Sequence, residues 1–311
     1  MDKQPPSAAR KVDLIGVASG LGGADAACAQ APARLAAAGL EAQLRSAGVD
    51  ASWIATLAPK RQGDGVGGVV ARLASELASL VAQSVRAGRL PCVIGGDHSC
   101  AVGTWSGVAM AFRRRGPLGL VWIDAHMDSH TPGTSPSGRV HGMPLAALLG
   151  QCDHGLAGLQ DGMLLPRHVC LVGVRSYEAA EAELLERLGV RVFGIEEVVR
   201  RGLARVMDDA MAIANAGSAG YGVTLDLDAL DPRELPAVAT PASFGIRGDE
   251  LLREFERIAR DPKLVALEIA EYCPRLDRDG RSERLICRLL CAALGGAGED
   301  SQVLADVVQA A

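Results

Sequence analysis

An α/β fold, with a single open, mostly parallel β-sheet and helices on both faces, is what this sequence predicts, and three observations carry the prediction. Strand-like and helix-like patterns alternate from end to end of the 311 residues, the order that parallel strands with helical crossovers require. Several strand-like runs, 91–94 and 119–123 among them, are apolar throughout, as befits strands covered on both faces. No Pro/Ser-rich linker and no internal repeat interrupts the chain. Residues 1–311 are therefore read as a single domain, with 1–10 as a flexible N-terminal tail.

Taken in order, the first strand spans 13–18 and leads into an Ala-rich helix over 32–47. A short strand over 49–54 precedes a long amphipathic helix over 67–87. Strands at 91–94 and 119–123 follow, with a helix over 101–114 between them. Strands at 168–173, 190–193, 221–225 and 264–269 complete the sheet. Helices over 178–188, 197–215, 248–260 and 281–293 separate or follow them. Right-handed crossovers place the loops after alternate strands along one edge of such a sheet. The turn-rich stretch 131–138 is too short for a linker and reads as a loop beside a site.

Composition narrows the function. Hydrophobic residues make up 49% of the chain but aromatics only 3%, so the core must be built of Ala, Val and Leu. No apolar run reaches the roughly 18 residues that span a bilayer, and residues 1–6 lack a signal peptide's hydrophobic segment. A soluble, cytoplasmic protein with no membrane partner is expected. The net charge of -5 is mild, and no basic stripe or aromatic platform argues for nucleic acid. The eight cysteines (Cys28, Cys92, Cys100, Cys152, Cys170, Cys273, Cys287 and Cys291) form no Cys-x-x-Cys pair, and are expected as buried thiols in a reducing compartment.

Three apolar strands end in acids or histidines. The run 119–123 passes into Asp124, Ala125, His126, Met127 and Asp128. In an extended chain, alternate residues project to one side, so Asp124, His126 and Asp128 are placed to converge. The run 91–94 passes into Gly95, Gly96, Asp97, His98 and Ser99, and 221–225 passes into Asp226, Leu227 and Asp228. Parallel sheets collect ligands at the carboxyl ends of their strands. His98, Asp124, His126, Asp128, Asp226 and Asp228 thus form a candidate metal centre. Four carboxylates and two imidazoles without a thiolate suit manganese best, ahead of iron, cobalt or zinc. Six ligands exceed the needs of one open ion and suit two ions sharing bridging carboxylates. Such a pair activates water against an electrophilic carbon or phosphorus. Binuclear metal-assisted hydrolysis is the class these residues imply.

These segments, together with 225–232, resemble the motifs of the ureohydrolases, the family of arginases, agmatinases and their relatives. The resemblance covers nearly the whole chain in the family's order, from Ile15, Gly16 and Val17 to Glu271, Tyr272, Cys273 and Pro274. It implies an arginase-like three-layer α/β/α fold and two Mn2+ ions per chain. His98 and Asp128 would hold one ion, His126 and Asp228 the other, with Asp124 and Asp226 bridging. A hydroxide between them would attack the guanidinium carbon, oriented by Asp128. Glu271 matches the family's guanidinium-binding glutamate, since a carboxylate accepts paired N–H bonds from that planar group. His141 matches the histidine that carries protons to the leaving amine. Assembly as a homo-oligomer, trimer or hexamer, is also implied.

The resemblance also bears on the substrate. Ser137 stands in the loop with which arginases hold an α-carboxylate, while His130 and Arg139 replace asparagines common there. Arg139 either binds that carboxylate or points to solvent. Glu178 and Glu181 match acidic positions directed at the α-ammonium group. Hydrolysis of L-arginine to L-ornithine and urea is the favoured reading. The runner-up is an agmatinase, a guanidinobutyrase or another ureohydrolase with a different guanidine or amidine substrate. A non-catalytic metal-stabilised binding protein and a single-zinc deacylase are the readings from other classes. His154 and His168 fall outside the motifs and are read as structural.

Overall fold

A computed structural model of the chain describes residues 10–60, 65–152 and 164–295. Its eight strands are β1 (Lys11–Val17), β2 (Asp50–Leu57), β3 (Leu90–Ile94), β4 (Leu118–Ile123), β5 (Leu164–Val174), β6 (Arg191–Gly194), β7 (Gly220–Asp226) and β8 (Leu264–Ala270). They form one open sheet in the order β2-β1-β3-β8-β7-β4-β5-β6, and every strand pair in it is parallel. β3 and β4 are successive in the chain yet stand apart, and β7 and β8 later fill the space between them. Strand order therefore reverses at the middle of the sheet, where ligands bind in open α/β folds.

Side chains alternate between two cores, as the two-residue period of a strand dictates. Val121 and Ile123 of β4, Val223 and Leu225 of β7, and Leu267 and Ile269 of β8 share one core. There they meet α1 (Ala31–Ala37), α2 (Leu40–Ser46), α7 (Ile195–Arg201), α8 (Leu203–Asn215), α9 (Gly248–Ile258) and α10 (Arg281–Leu294). The opposite core takes Leu120 and Trp122 of β4 and Ala266 and Ala270 of β8. It is covered by α3 (Val66–Arg86), α4 (Ala101–Phe112), α5 (Pro144–Leu148) and α6 (Ala179–Leu188). All eight cysteines are buried thiols. No helix among the described residues is long and apolar enough to cross a membrane.

Two expected helices are each broken in two. The 32–47 helix divides at Gly39, with φ of +75°, and the 197–215 helix divides at Gly202, with φ of +83°. Glycine takes these left-handed angles without the Cβ penalty, and apolar periodicity does not register so local a turn. The 101–114 helix stops at Phe112, and the strand expected from 168 begins at Leu164. The short helix α5 was not foreseen. His168 lies within β5, and His154 lies outside the described residues.

Candidate active site

Four adjacent strands, β3, β8, β7 and β4, deliver the site from their carboxyl ends. At three of these ends the same turn recurs. Asp97 accepts the Ser99 amide at 3.0 Å, Asp124 the His126 amide at 2.7 Å, and Asp226 the Asp228 amide at 2.9 Å. Aspartate readily closes such turns by bonding the amide two residues on. The segment 124–128 is thus turned, not extended, and its ligands converge through the turn instead of through strand alternation. They also divide: Asp124 and Asp128 join one cluster, and Asp124 and His126 another.

The first cluster gathers His98, Asp124, Asp128 and Asp226, with one ligand atom from each within 4.8 Å of the others. His98 Nδ1 stands 3.4 Å from Asp124 Oδ2, 2.9 Å from Asp128 Oδ2 and 3.1 Å from Asp226 Oδ2. The second gathers Asp124, His126 and Asp228, with His126 Nδ1 3.1 Å from Asp228 Oδ2 and 3.6 Å from Asp124 Oδ1. Asp124 is common to both, whereas Asp226 stands only in the first.

The donor set suits divalent cations. His98 Nδ1 and Asp128 Oδ2 are buried, and neither makes a hydrogen bond. Leaving such groups unsatisfied is costly, and a cation between them removes the cost. Burial, together with neighbouring carboxylates, pushes Asp226 and Asp228 above the usual carboxylate range. Burial and then Asp124 push Asp128 up to about 6. Packed carboxylates of this kind call for positive charge. All ligating atoms are nitrogen or oxygen, which fits manganese and other hard or borderline ions.

His141 and Glu271 adjoin the first cluster through the His98 amide. His141 Nδ1 is 2.9 Å from Glu271 Oε1, which also accepts the His98 amide at 2.9 Å. Burial opposes charge on His141, but the Glu271 carboxylate outweighs it and pushes the pKa up to about 9. Glu271, with φ of +69°, and Asp128, with φ of +46°, both take left-handed backbone angles. Such strain costs about 1–3 kcal/mol per residue and gathers at functional sites. The Glu271 amide donates to Gly96 O at 2.7 Å, tying the end of β8 to the loop after β3.

In the loop after β4, His130 Nε2 lies 2.9 Å from Glu178 Oε2 and 3.4 Å from Glu181 Oε2. Glu178 is exposed, but Glu181 is buried, and its oxygens accept the amides of Ser129 and Glu178, each at 3.1 Å. Glu181 thereby caps α6 and anchors the loop after β4. Ser137 and Arg139 are exposed, and the Ser137 hydroxyl accepts the Arg139 amide at 3.3 Å.

Several residues of the site were not singled out from sequence. Arg175 donates to six carbonyl oxygens, those of Gly173, Asp228, Ala229, Leu230, Ala242 and Ser243, fixing the loop that follows β7. Thr240 donates to Asp228 Oδ2 at 3.2 Å. Asp97 also accepts the Gly22 amide at 3.1 Å, drawing the loop after β1 toward the site. Trp122, Thr224 and Glu268 lie beneath His98 within the sheet. Glu268 had a signal in sequence: it is the one charge in the apolar run Leu264–Ala270.

Known proteins share this chain's fold and much of its sequence. A model of the arginase family matches residues 10–295. An arginase of Brevibacillus brevis is 40% identical over 224 residues, covering 71% of this chain and 74% of that protein. The crystal structure of arginase from Bacillus subtilis superposes with a TM-score of 0.85 at 30% identity, covering 93% of this chain and 99% of that one. Entamoeba histolytica arginase in complex with L-ornithine superposes with a TM-score of 0.86 at 27% identity, covering 93% and 100%.

Proposed function

This chain belongs to the arginase family, and from that premise we propose that it hydrolyses L-arginine to L-ornithine and urea at a binuclear manganese centre. The observation that carries the reading is the pair of His/Asp clusters meeting at Asp124, tied to the His141–Glu271 pair through the His98 amide, which donates to Glu271. His98, Asp128 and Asp226 would hold one ion and His126 and Asp228 the other, with Asp124 common to both clusters. Ions bound there would supply hydroxide near neutral pH by lowering the pKa of a water. The oxygen-and-nitrogen donor set supports manganese, and the six ligands support two ions.

The protein's own groups do the rest. Glu271 accepts N–H bonds from the guanidinium and holds its carbon over the attacking oxygen. Asp128 orients that oxygen. His141, held protonated by Glu271, gives its proton to the departing amine. His130 and Glu178 receive the α-ammonium end, with Glu181 fixing the helix start that carries Glu178. Ser137 and Arg139, both exposed in the loop after β4, receive the α-carboxylate. Family membership further supports a cytoplasmic homo-oligomer, trimer or hexamer.

Urea release from L-arginine, agmatine and 4-guanidinobutyrate, measured on the manganese-loaded protein, tests the substrate. L-Arginine is expected to turn over fastest. Faster turnover of either analogue rejects the assignment and points to a related guanidine hydrolase.

A further inference from the structure

We propose that Thr224 and Glu268 are positioning residues that seat the His98 imidazole for a divalent cation, an inference that rests on the metal-centre reading above. The argument starts from sheet register. Trp122 of β4 pairs with Thr224 of β7, and Thr224 pairs with Glu268 of β8. Laterally paired residues of a parallel sheet point to the same face, here the face that α4 covers. All three side chains are wholly buried.

A buried carboxylate is costly unless its hydrogen bonds are satisfied, and those of Glu268 are. Its Oε1 accepts the Thr224 hydroxyl at 2.8 Å, and its Oε2 accepts from the Thr104 hydroxyl and, at 3.5 Å, from Cys100 Sγ. The Thr224 hydroxyl carries a single proton. Given to Glu268, it leaves the Thr224 oxygen only as an acceptor toward His98 Nε2, 3.1 Å away. Polarity therefore runs one way, from His98 Nε2–H to Thr224 to Glu268. That fixes the imidazole tautomer and leaves the Nδ1 lone pair facing Asp124, Asp128 and Asp226.

The third member of the row completes the seat. The Trp122 ring lies against the His98 ring with centroids 4.5 Å apart and an angle of 32° between planes. Its indole Nε1 donates to Asp124 Oδ2 at 2.8 Å. One row across three strands thus orients two of the residues in the first cluster. Partners behind metal-binding histidines commonly set ligand tautomer and orientation, and their loss weakens metal affinity about 10–100-fold.

The test is a manganese titration of the full chain, with free Mn2+ counted by electron paramagnetic resonance and folding checked by circular dichroism. Thr224→Val removes the hydroxyl at nearly constant shape and is expected to weaken one of two sites about 10–100-fold. Thr224→Ser restores the hydroxyl and is expected to recover most of that affinity. Glu268→Gln keeps the shape and removes the charge; it is expected to weaken the same site, and it carries the test if Thr224→Val fails to fold. Wild-type affinity in Thr224→Val or Glu268→Gln overturns the inference while leaving the metal centre intact. So does a Thr224→Ser variant as weak as Thr224→Val, because packing and not the hydroxyl would then be at work. A wild-type chain that takes up no divalent ion overturns the metal centre and this inference together.

Discussion

Asp226 spends one oxygen on the turn that presents Asp228 and points the other at His98. Asp226→Ala removes both contributions, so the purified variant is expected to lose at least one manganese ion per chain. His141→Ala touches no ligand, so it is expected to retain both ions while kcat falls about 10²–10⁴-fold, the usual worth of a general acid. Elemental analysis of the two proteins separates the roles. A metal-free His141→Ala protein would show that this histidine is a ligand. Glu181 gives a pH dependence. Burial pushes its pKa up to about 7, so between about pH 4.3, its unfolded value, and about 7 the folded state binds the extra proton. Its contribution to stability therefore falls as pH rises through that window. Urea midpoints at pH 5 and 7.5 should differ less in Glu181→Gln than in wild type, and an equal difference in both contradicts the assignment. The candidate ligands were legible because aspartates and histidines at the ends of apolar strands have no packing reason to be there, whereas His141 and Glu271 were picked out by the family resemblance. Thr224 and Trp122 were not, because threonine and tryptophan are ordinary strand residues and only the register across β4, β7 and β8 gives them a role. The family resemblance already divided 124–128 between two ions, but the turn and the left-handed Asp128 that produce the division were hidden, since strand alternation alone put all three side chains on one side.

At the scale of elements, the seat of His98 depends on how closely α4 lies against α3. An added Cβ at Gly103 would stand 2.7 Å from Ala74 O, and one at Gly107 would stand 2.5 Å from Ala78 O. Both obstacles are backbone atoms that no rotamer change can move aside. Gly107→Val should destabilise the fold by about 1–3 kcal/mol, the range for overpacking a close contact, read as a lower urea midpoint with an unchanged slope. An unaltered midpoint would mean that the helices have room to separate. The strands were legible because burial on both faces leaves an unbroken apolar run, as in 91–94 and 119–123. The helices were legible in extent but not in continuity. Gly39 and Gly202 sit inside periods that read as uninterrupted, and each ends a helix by a backbone angle that leaves no trace in polarity.

For the whole molecule, the centre is assembled from strands far apart in the chain, so cations should couple to folding. His98 and Asp228 are 130 positions apart in sequence, yet their clusters meet at Asp124. A ligand that binds only the folded state at about 1,000 times its Kd adds about 4 kcal/mol. Chelation should therefore lower the Tm by on the order of 5–10 °C, recoverable by manganese. An unchanged Tm would show that the four carboxylates are satisfied without cations. The sheet order, with β7 and β8 entering between β3 and β4, was not legible. Nothing local in those strands records their lateral neighbours, although their shared acidic ends marked them as meeting at one place. The most direct measurement is anomalous diffraction at the manganese edge from crystals grown with the metal. Two peaks are expected in each chain, one against His98 and Asp128 and one against His126 and Asp228, both touching Asp124. A single peak, or density away from these residues, would contradict the account.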